Sequence, residues 1–224
     1  MKQHQPILIL AGAYGVGKSE VALNLALSER RAGKPVTLGD LDVVNLYFRS
    51  RQRHQLLEDA GIQVISSSLG HINTQDLPAV SNALRGPLRD KERLVIIDAG
   101  GDRAGLRPLE LFRDDFGDRA ELLVVLNHLR PENRDVSSAL QTISRIEAQS
   151  RLKLAGLVVN SHLLGETTVD HLLDGLAIAR EVSRLRAAPL RRICGSRKVL
   201  GDLPKEIDIP RLTINHYLRS DWMG

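Results

Sequence analysis

Cysteine, aromatic residues and long hydrophobic runs are all scarce in this chain of 224 residues. The single cysteine, Cys194, has no partner for an internal disulfide, and no C-x-x-C or H-E-x-x-H spacing is present to bind a metal. Aromatic residues make up 3% of the sequence, so few rings are available to stack on unpaired nucleic-acid bases. The apolar run Ile7–Ala11 is far shorter than the roughly 18 residues of a membrane span. These absences exclude a disulfide scaffold, disfavour a reader of single-stranded nucleic acid and predict a cytoplasmic protein.

The rest of the composition is that of an ordinary globular protein. Hydrophobic residues make up 42% and charged residues 26%, and 31 Lys and Arg against 27 Asp and Glu give a net charge of +4. This charge is too small to predict nucleic-acid binding. No repeat, low-complexity stretch or flexible linker divides the chain, so residues 1–224 are predicted to form one domain.

Short apolar runs alternate with segments of helical periodicity, which is typical of a parallel sheet covered by helices. Strands are predicted at residues 6–10, 35–38, 63–66, 94–98, 122–126, 157–160 and 190–194. The first helix is predicted at Lys18–Arg31 and is apolar around most of its circumference. Two later helical stripes are formed by Val136, Leu140, Ile143 and Ile146, and by Val169, Leu172, Leu173, Leu176 and Val182. The predicted fold class is α/β, a single-domain P-loop NTPase with a mostly parallel sheet and helices on both faces.

The strongest motif is a phosphate-binding loop. Residues 12–19 read GAYGVGKS, which fits G-x-x-x-x-G-K-[ST] between the first strand and the first helix. Glycines allow the backbone to turn its N–H groups around a phosphate, and the helix N-terminus adds positive charge. Lys18 is predicted to reach the β- and γ-phosphates from an exposed helix start, and the Ser19 hydroxyl to ligate Mg²⁺.

Carboxylates follow two other predicted strands. Asp98 ends the run LVIID and is predicted to hold the magnesium ion through water, while Gly101 is placed to sense the γ-phosphate with its amide. Asp40 and Asp42 stand two residues apart after the second strand, where their mutual repulsion favours a nearby cation or ligand. One of them can assist Mg²⁺ and the other can position water.

Together the loop, the Asp40/Asp42 pair and the Asp98 strand resemble the MinD/ParA/ArsA (CobQ/CobB) branch of P-loop NTPases over most of the chain. Residues 42–50 resemble more narrowly a subset of ATP-binding proteins with a D-x-D-x-x-N-x-Y-F-R segment. The resemblance implies Mg²⁺ and ATP as cofactors and slow hydrolysis, with Lys18 and Asp42 catalytic and with Ser19, Asp40 and Asp98 around the metal. The nucleotide-binding positions it implies are Gly12, Tyr14, Gly15, Val16, Gly17, Lys18, Ser19, Glu20, Gly101 and Asn160.

One position departs from the pattern of that branch. Many of its members carry an early lysine in the loop that crosses a dimer interface to the partner's nucleotide, and here Ala13 takes that place. Catalysis is therefore predicted to come from groups within one chain, which argues against an obligatory ATP-sandwich dimer.

The sequence says less about which nucleotide base and which partner the chain binds. Guanine-specific loops place an Asp three residues after an Asn, whereas Asn160 is followed by Leu163 at that position, so ATP is predicted over GTP. Asn127 is a second candidate polar contact, although a strand-ending turn is favoured there. Arg49, Arg51 and Arg53 are interpreted as a solvated face rather than a DNA or lipid site, and the seven histidines as surface or packing residues.

The last motif is an apolar spacing near the C-terminus. Ile214, Leu218 and Trp222 recur every four residues and are predicted to pack on the body of the protein rather than on a membrane. The leading hypothesis for function is a nucleotide-controlled switch with an unidentified protein partner. The alternatives are an ATP-dependent ligase or small-molecule kinase, with a pocket from residues 66–78 and 102–113, and a ParA-like DNA-associated module.

Overall fold

A computed structural model describes residues 4–41, 51–66 and 77–218. In this part of the chain, eight strands form one sheet in the order β3-β2-β4-β1-β5-β6-β7-β8, and every adjacent pair is parallel. The strands are β1 (Ile7–Ala11), β2 (Val36–Asp40), β3 (Gln63–Ser66), β4 (Leu94–Asp98), β5 (Ala120–Leu126), β6 (Leu154–Val159), β7 (Leu190–Gly195) and β8 (Arg211–Thr213). The predicted α/β class with a parallel sheet is confirmed.

Eight helices accompany the sheet in the described residues. They are α1 (Lys18–Arg31), α2 (Arg51–Asp59), α3 (Leu77–Arg89), α4 (Arg103–Leu106), α5 (Arg113–Phe116), α6 (Val136–Ser150), α7 (Val169–Arg186) and α8 (Arg197–Gly201). Short 3₁₀ turns lie at Arg107–Phe112, Pro131–Asn133 and Leu164–Glu166. No helix in the described ranges combines the length and apolarity needed to cross a membrane.

Two apolar clusters cover the two faces of the sheet. Side chains of β1 alternate between them, since Ile7 and Ile9 join one cluster and Leu8 and Leu10 the other. The first cluster includes the predicted stripes of α6 and α7, and the second includes α1 and Leu57 of α2. Because both faces are covered, the central strands are continuous runs of Val, Ile and Leu instead of alternating patterns.

Several predicted boundaries differ from the observed ones. Strand β2 extends to Asp40, two residues beyond the prediction, because it pairs with β4 up to Asp98. Strand β6 begins three residues earlier than predicted and ends at Val159, just before Asn160. Strand β8 was not predicted, since its three residues have an exposed–buried–exposed pattern too short to stand out.

Helix α1 is buried on nearly all sides, as predicted, and its outer side is covered by the C-terminal segment rather than by helices alone. Ile214 and Leu218 belong to the same apolar cluster as α1, and both are buried. They pack on the body as predicted, without helical structure between residues 214 and 218. Trp222 lies outside the described residues.

Candidate functional site

Five neighbouring strands bring the predicted site residues to one edge of the sheet. In the order β2-β4-β1-β5-β6, their carboxyl ends carry Asp40, Asp98, the phosphate loop, Asn127 and Asn160. Strand β1 is where the connections diverge to opposite sides of the sheet, and a crevice forms outside the strand ends at such a point. The fold therefore assembles one site from segments that are distant in sequence.

The phosphate loop needs its glycines for two different reasons. Gly15 and Gly17 have φ values of 74° and 86°, in the left-handed region that favours glycine. Gly12 is required by proximity, because a Cβ there would lie 2.6 Å from the carbonyl oxygen of Val125. Helix α1 begins at Lys18 directly after Gly17. The loop backbone thus has the strand–loop–helix context that phosphate binding requires.

Lys18 lies inside the loop, and the prediction of an exposed helix start is wrong. Its side chain is buried, and Nζ donates to the carbonyl oxygen of Ala13 at 3.2 Å. This contact spans the loop, because the amino group of the first residue of α1 donates to a carbonyl five residues earlier in the chain. Ser19 is also buried beside it, whereas Tyr14 at the crest of the loop is 81% exposed.

Two side chains hold the loop from outside. Asn160 Nδ2 donates to the carbonyl oxygen of Val16 at 2.8 Å, and Arg130 Nε donates to that of Gly15 at 3.0 Å. The role of Asn160 in the loop was not foreseen, and within the described ranges its Oδ1 and its other amide hydrogen make no further hydrogen bond that would exclude a contact with a base. Arg130 was missed altogether, because a single arginine after a strand carries no signal until the sheet order places it beside the loop.

Asn127 ends strand β5 in a turn, as the sequence favoured. Its Oδ1 accepts from the backbone N–H of Leu129 at 3.1 Å, and its side chain is fully buried. The neighbouring His128 contacts Ser161, with Nδ1 and Oγ 2.9 Å apart. Burial lowers the pKa of His128, and the negative charge of Asp174 partly opposes that shift.

Two carboxylates lie side by side next to the loop. Asp40 and Asp98 are register partners on β2 and β4, with 6% and 0% of their surfaces exposed. Burying two like charges on adjacent strands is costly unless a cation or a proton compensates. With the Ser19 hydroxyl they offer the oxygen ligands that Mg²⁺ prefers. Among the described residues no cluster of three or more His, Cys, Asp or Glu side chains could hold a metal.

Gly101 lies directly against the phosphate loop. A Cβ at this position would be 1.8 Å from the carbonyl oxygen of Gly12, so only glycine permits the approach. The residues on either side of Gly101 are also close-packed, since Gly100 and Gly105 leave no room for each other's Cβ. Asp102 caps α4 by accepting from the backbone N–H of Gly105 at 2.8 Å. The segment after Asp98 is therefore in contact with the phosphate loop, and the predicted sensing of the γ-phosphate by Gly101 stays a prediction.

Glu20 contacts the C-terminal segment in this structure. Its carboxylate accepts from the backbone N–H groups of Tyr217 at 2.6 Å and Leu218 at 3.1 Å. One turn later, Asn24 exchanges two hydrogen bonds of 2.9 Å with the backbone of Asn215. Glu20, a predicted nucleotide contact, thus has a structural role that the sequence did not indicate.

Some predicted residues fall outside the described part of the chain. They include Asp42, the predicted catalytic carboxylate, together with Arg49 and the rest of residues 42–50. The side chains of Arg51 and Arg53 and most of the candidate substrate segment 66–78 lie outside it as well.

Comparison with known proteins gives a family and a fold. The profile described as CobQ/CobB/MinD/ParA nucleotide binding domain matches residues 7–216. No curated protein sequence matches the chain.

Solved structures share the fold at low sequence identity. FtsY from Thermotoga maritima is 21% identical, with a TM-score of 0.61 over 88% of this chain and 64% of its own. FtsY from Mycoplasma mycoides is 15% identical, with a TM-score of 0.60 over 89% and 62%. The 54 kDa signal recognition particle protein from Aeropyrum pernix, in complex with GDP, is 20% identical, with a TM-score of 0.58 over 91% and 44%. The chain spans less than two thirds of the length of each of these proteins.

Proposed function

Because the chain belongs to the CobQ/CobB/MinD/ParA nucleotide-binding domain family, we propose that it binds Mg·ATP and hydrolyses it slowly as a nucleotide-controlled switch. The observation that carries this proposal is the site at the strand ends. The phosphate loop with Lys18 lies between the buried Asp40/Asp98 pair on one side and Asn160 on the other. A triphosphate with its cation fits this order of positive and negative groups.

Each group has a defined task in this proposal. The loop N–H groups and Lys18 bind the phosphates, while Ser19, Asp40 and Asp98 hold Mg²⁺, which neutralises phosphate charge when bound. Asp42 positions or deprotonates the attacking water, as the resemblance of the D-x-D pair implies. Gly101, in contact with Gly12, is placed to respond to the γ-phosphate and pass the change to α4.

ATP is proposed over GTP because Leu163 replaces the carboxylate that would accept from guanine. Leu163 is 40% exposed, and an unpaired pair of guanine donors costs about 1–3 kcal/mol. GTP is the second candidate, since the Aeropyrum pernix protein of similar fold was solved with GDP.

The test is a calorimetric titration of the chain with Mg·ATP, Mg·ADP and Mg·GTP. We expect binding of all three, with ATP tighter than GTP, and we expect Lys18→Ala to abolish it. Lys18 donates to Ala13, so circular dichroism and thermal melting must show that the variant is folded. Wild-type affinity in the folded Lys18→Ala variant would refute the phosphate loop as the site. Equal or tighter GTP binding would refute the base preference alone.

The switch is tested by capture of partners from an extract. The chain is loaded either with Mg·ADP or with a triphosphate, for which Mg·ATP and a non-hydrolysable ATP analogue are used in separate samples. We expect at least one protein to be retained in only one of the two states. Identical captures in both states would contradict the switch. A small metabolite that accelerates ADP production would favour the ligase or kinase alternative, and salt-sensitive DNA binding without nucleotide would favour the ParA-like module.

A further inference from the structure

We propose that Arg130 is a positioning residue for the nucleotide phosphates, acting through the outer wall of the phosphate loop. Its Nε donates to the carbonyl oxygen of Gly15, and its Nε, Cζ and Cδ atoms lie 3.4, 3.6 and 3.9 Å from the place that a Gly15 Cβ would occupy. The inference rests on the proposed function, because it concerns the affinity of the same site.

The backbone on both sides of Arg130 is held in place. The N–H of Arg130 donates to the carbonyl oxygen of Asn127 at 3.0 Å, and the carbonyl oxygen of Arg130 accepts from the N–H of Asn133 at 2.9 Å. Asn127 is itself fully buried at the end of β5. The guanidinium is therefore carried by a fixed turn at the end of a central strand rather than by a free loop.

The charge of Arg130 is not neutralised by a carboxylate within the described ranges. Arg134, four residues later, offers the contrast, because its Nε lies 3.3 Å from Asp135 Oδ2 and its side chain is 75% exposed. Arg130 is half-buried, and the one hydrogen bond that its side chain makes to a described residue is that to Gly15. A positive charge fixed beside a phosphate loop favours a polyphosphate more than a neutral ligand.

The contact also acts on the peptide groups of the loop. When a cation donates to the Gly15 carbonyl, it polarises the peptide whose N–H belongs to Val16. Asn160 does the same to the next peptide, whose carbonyl belongs to Val16 and whose N–H belongs to Gly17. Two successive N–H groups of the phosphate-binding loop are thereby strengthened as donors, and their carbonyls are held away from the phosphates. Residues that follow β5 and β6 thus together hold the backbone of the phosphate loop in place.

The experiment compares three variants by calorimetric titration with Mg·ATP and Mg·ADP. Arg130→Gln removes the charge, and Arg130→Lys retains it. Arg134→Gln removes one positive charge from the same connection between β5 and α6, at a residue that does not contact Gly15. We expect Arg130→Gln to weaken both nucleotides by about tenfold to a hundredfold, as for a lost charge-assisted hydrogen bond. We expect Arg130→Lys to recover most of the affinity and Arg134→Gln to bind as wild type. The difference between wild type and Arg130→Gln should shrink at high salt.

The nucleotide-free melting temperature separates a structural effect from a positioning effect. We expect Arg130→Gln and Arg130→Lys to melt within a few degrees of each other. If Arg130→Gln does not fold, the test uses the ATP affinity of Arg130→Lys at low and at high salt. Affinity near that of the wild type that falls as the salt concentration rises supports the inference, and a loss of about tenfold or more overturns it. Wild-type affinity in Arg130→Gln, or equal losses in Arg130→Lys and Arg130→Gln, would overturn the inference while leaving the proposed function intact. Absence of nucleotide binding in both wild type and Arg134→Gln would instead overturn the proposed function, and this inference with it.

Discussion

Substitution of Gly101 by alanine should separate the segment after Asp98 from the phosphate loop. The new Cβ would lie 1.8 Å from the Gly12 carbonyl oxygen and 2.6 Å from its carbon, both backbone atoms that cannot rotate away. The two backbones must therefore move apart by about 1 Å, a distortion of the kind that costs about 1–3 kcal/mol in a packed interior. For a chain of this size, each kcal/mol corresponds to a shift of about 2–4 °C in melting temperature.

The assay is thermal unfolding with and without Mg·ATP, accompanied by the rate of ATP hydrolysis. We expect Gly101→Ala to melt about 2–12 °C below wild type and to show less stabilisation by ATP, because the displaced loop binds phosphate less well. Gly201→Ala is the matched control, since nothing lies within 4 Å of a Cβ at the end of α8. It should melt at or slightly above the wild-type temperature. Wild-type melting and ATP stabilisation in Gly101→Ala would refute the contact between Gly101 and Gly12.

Three further predictions concern single side chains. Asn160→Leu should lose about 1–3 kcal/mol of stability or nucleotide affinity, because the Val16 carbonyl is left without its donor, and unchanged denaturation and titration curves would contradict this. Asp42→Asn should lower ATP turnover by about 10²–10⁴-fold with little change in ATP affinity, and a wild-type rate, or a specific activity that rises with protein concentration, would refute catalysis within one chain. Burial raises the pKa of the Cys194 thiol to about 12, so thiol reagents at pH 8 should label the folded chain slowly and the urea-unfolded chain rapidly; fast labelling of the folded chain would show that β7 opens.

The parts of the structure that sequence reasoning predicted are those encoded by contiguous residues. The apolar runs 94–98 and 63–66 match β4 and β3 in full, and α1 begins and ends at the predicted residues. Its start is set by the left-handed Gly17 and its end is followed by Gly33, both local conformations that glycine permits. Because these preferences act within a few residues, they do not depend on the rest of the chain.

Predictions failed where a residue's environment comes from distant segments. Lys18 was predicted to be exposed, but the loop encloses it and Ala13 accepts its hydrogen bond. Glu20 is a residue of the first helical turn, yet its carboxylate meets the backbone of Tyr217 and Leu218 almost 200 residues later. Nothing in the local sequence indicates such a contact, because it depends on where β8 places the C-terminal segment.

The sequence by itself determined the chemistry of this protein: a glycine-rich loop before a helix, a lysine, a serine and carboxylates after apolar runs. Tertiary structure alone decided which of these groups lie together. Parallel pairing aligned Asp40 with Asp98, and the strand order placed Arg130 and Asn160 on successive carbonyls of the loop. The reason is that local backbone preferences are additive along the chain. The positions of strand ends, in contrast, follow from burying both faces of one sheet, to which all its strands contribute at once.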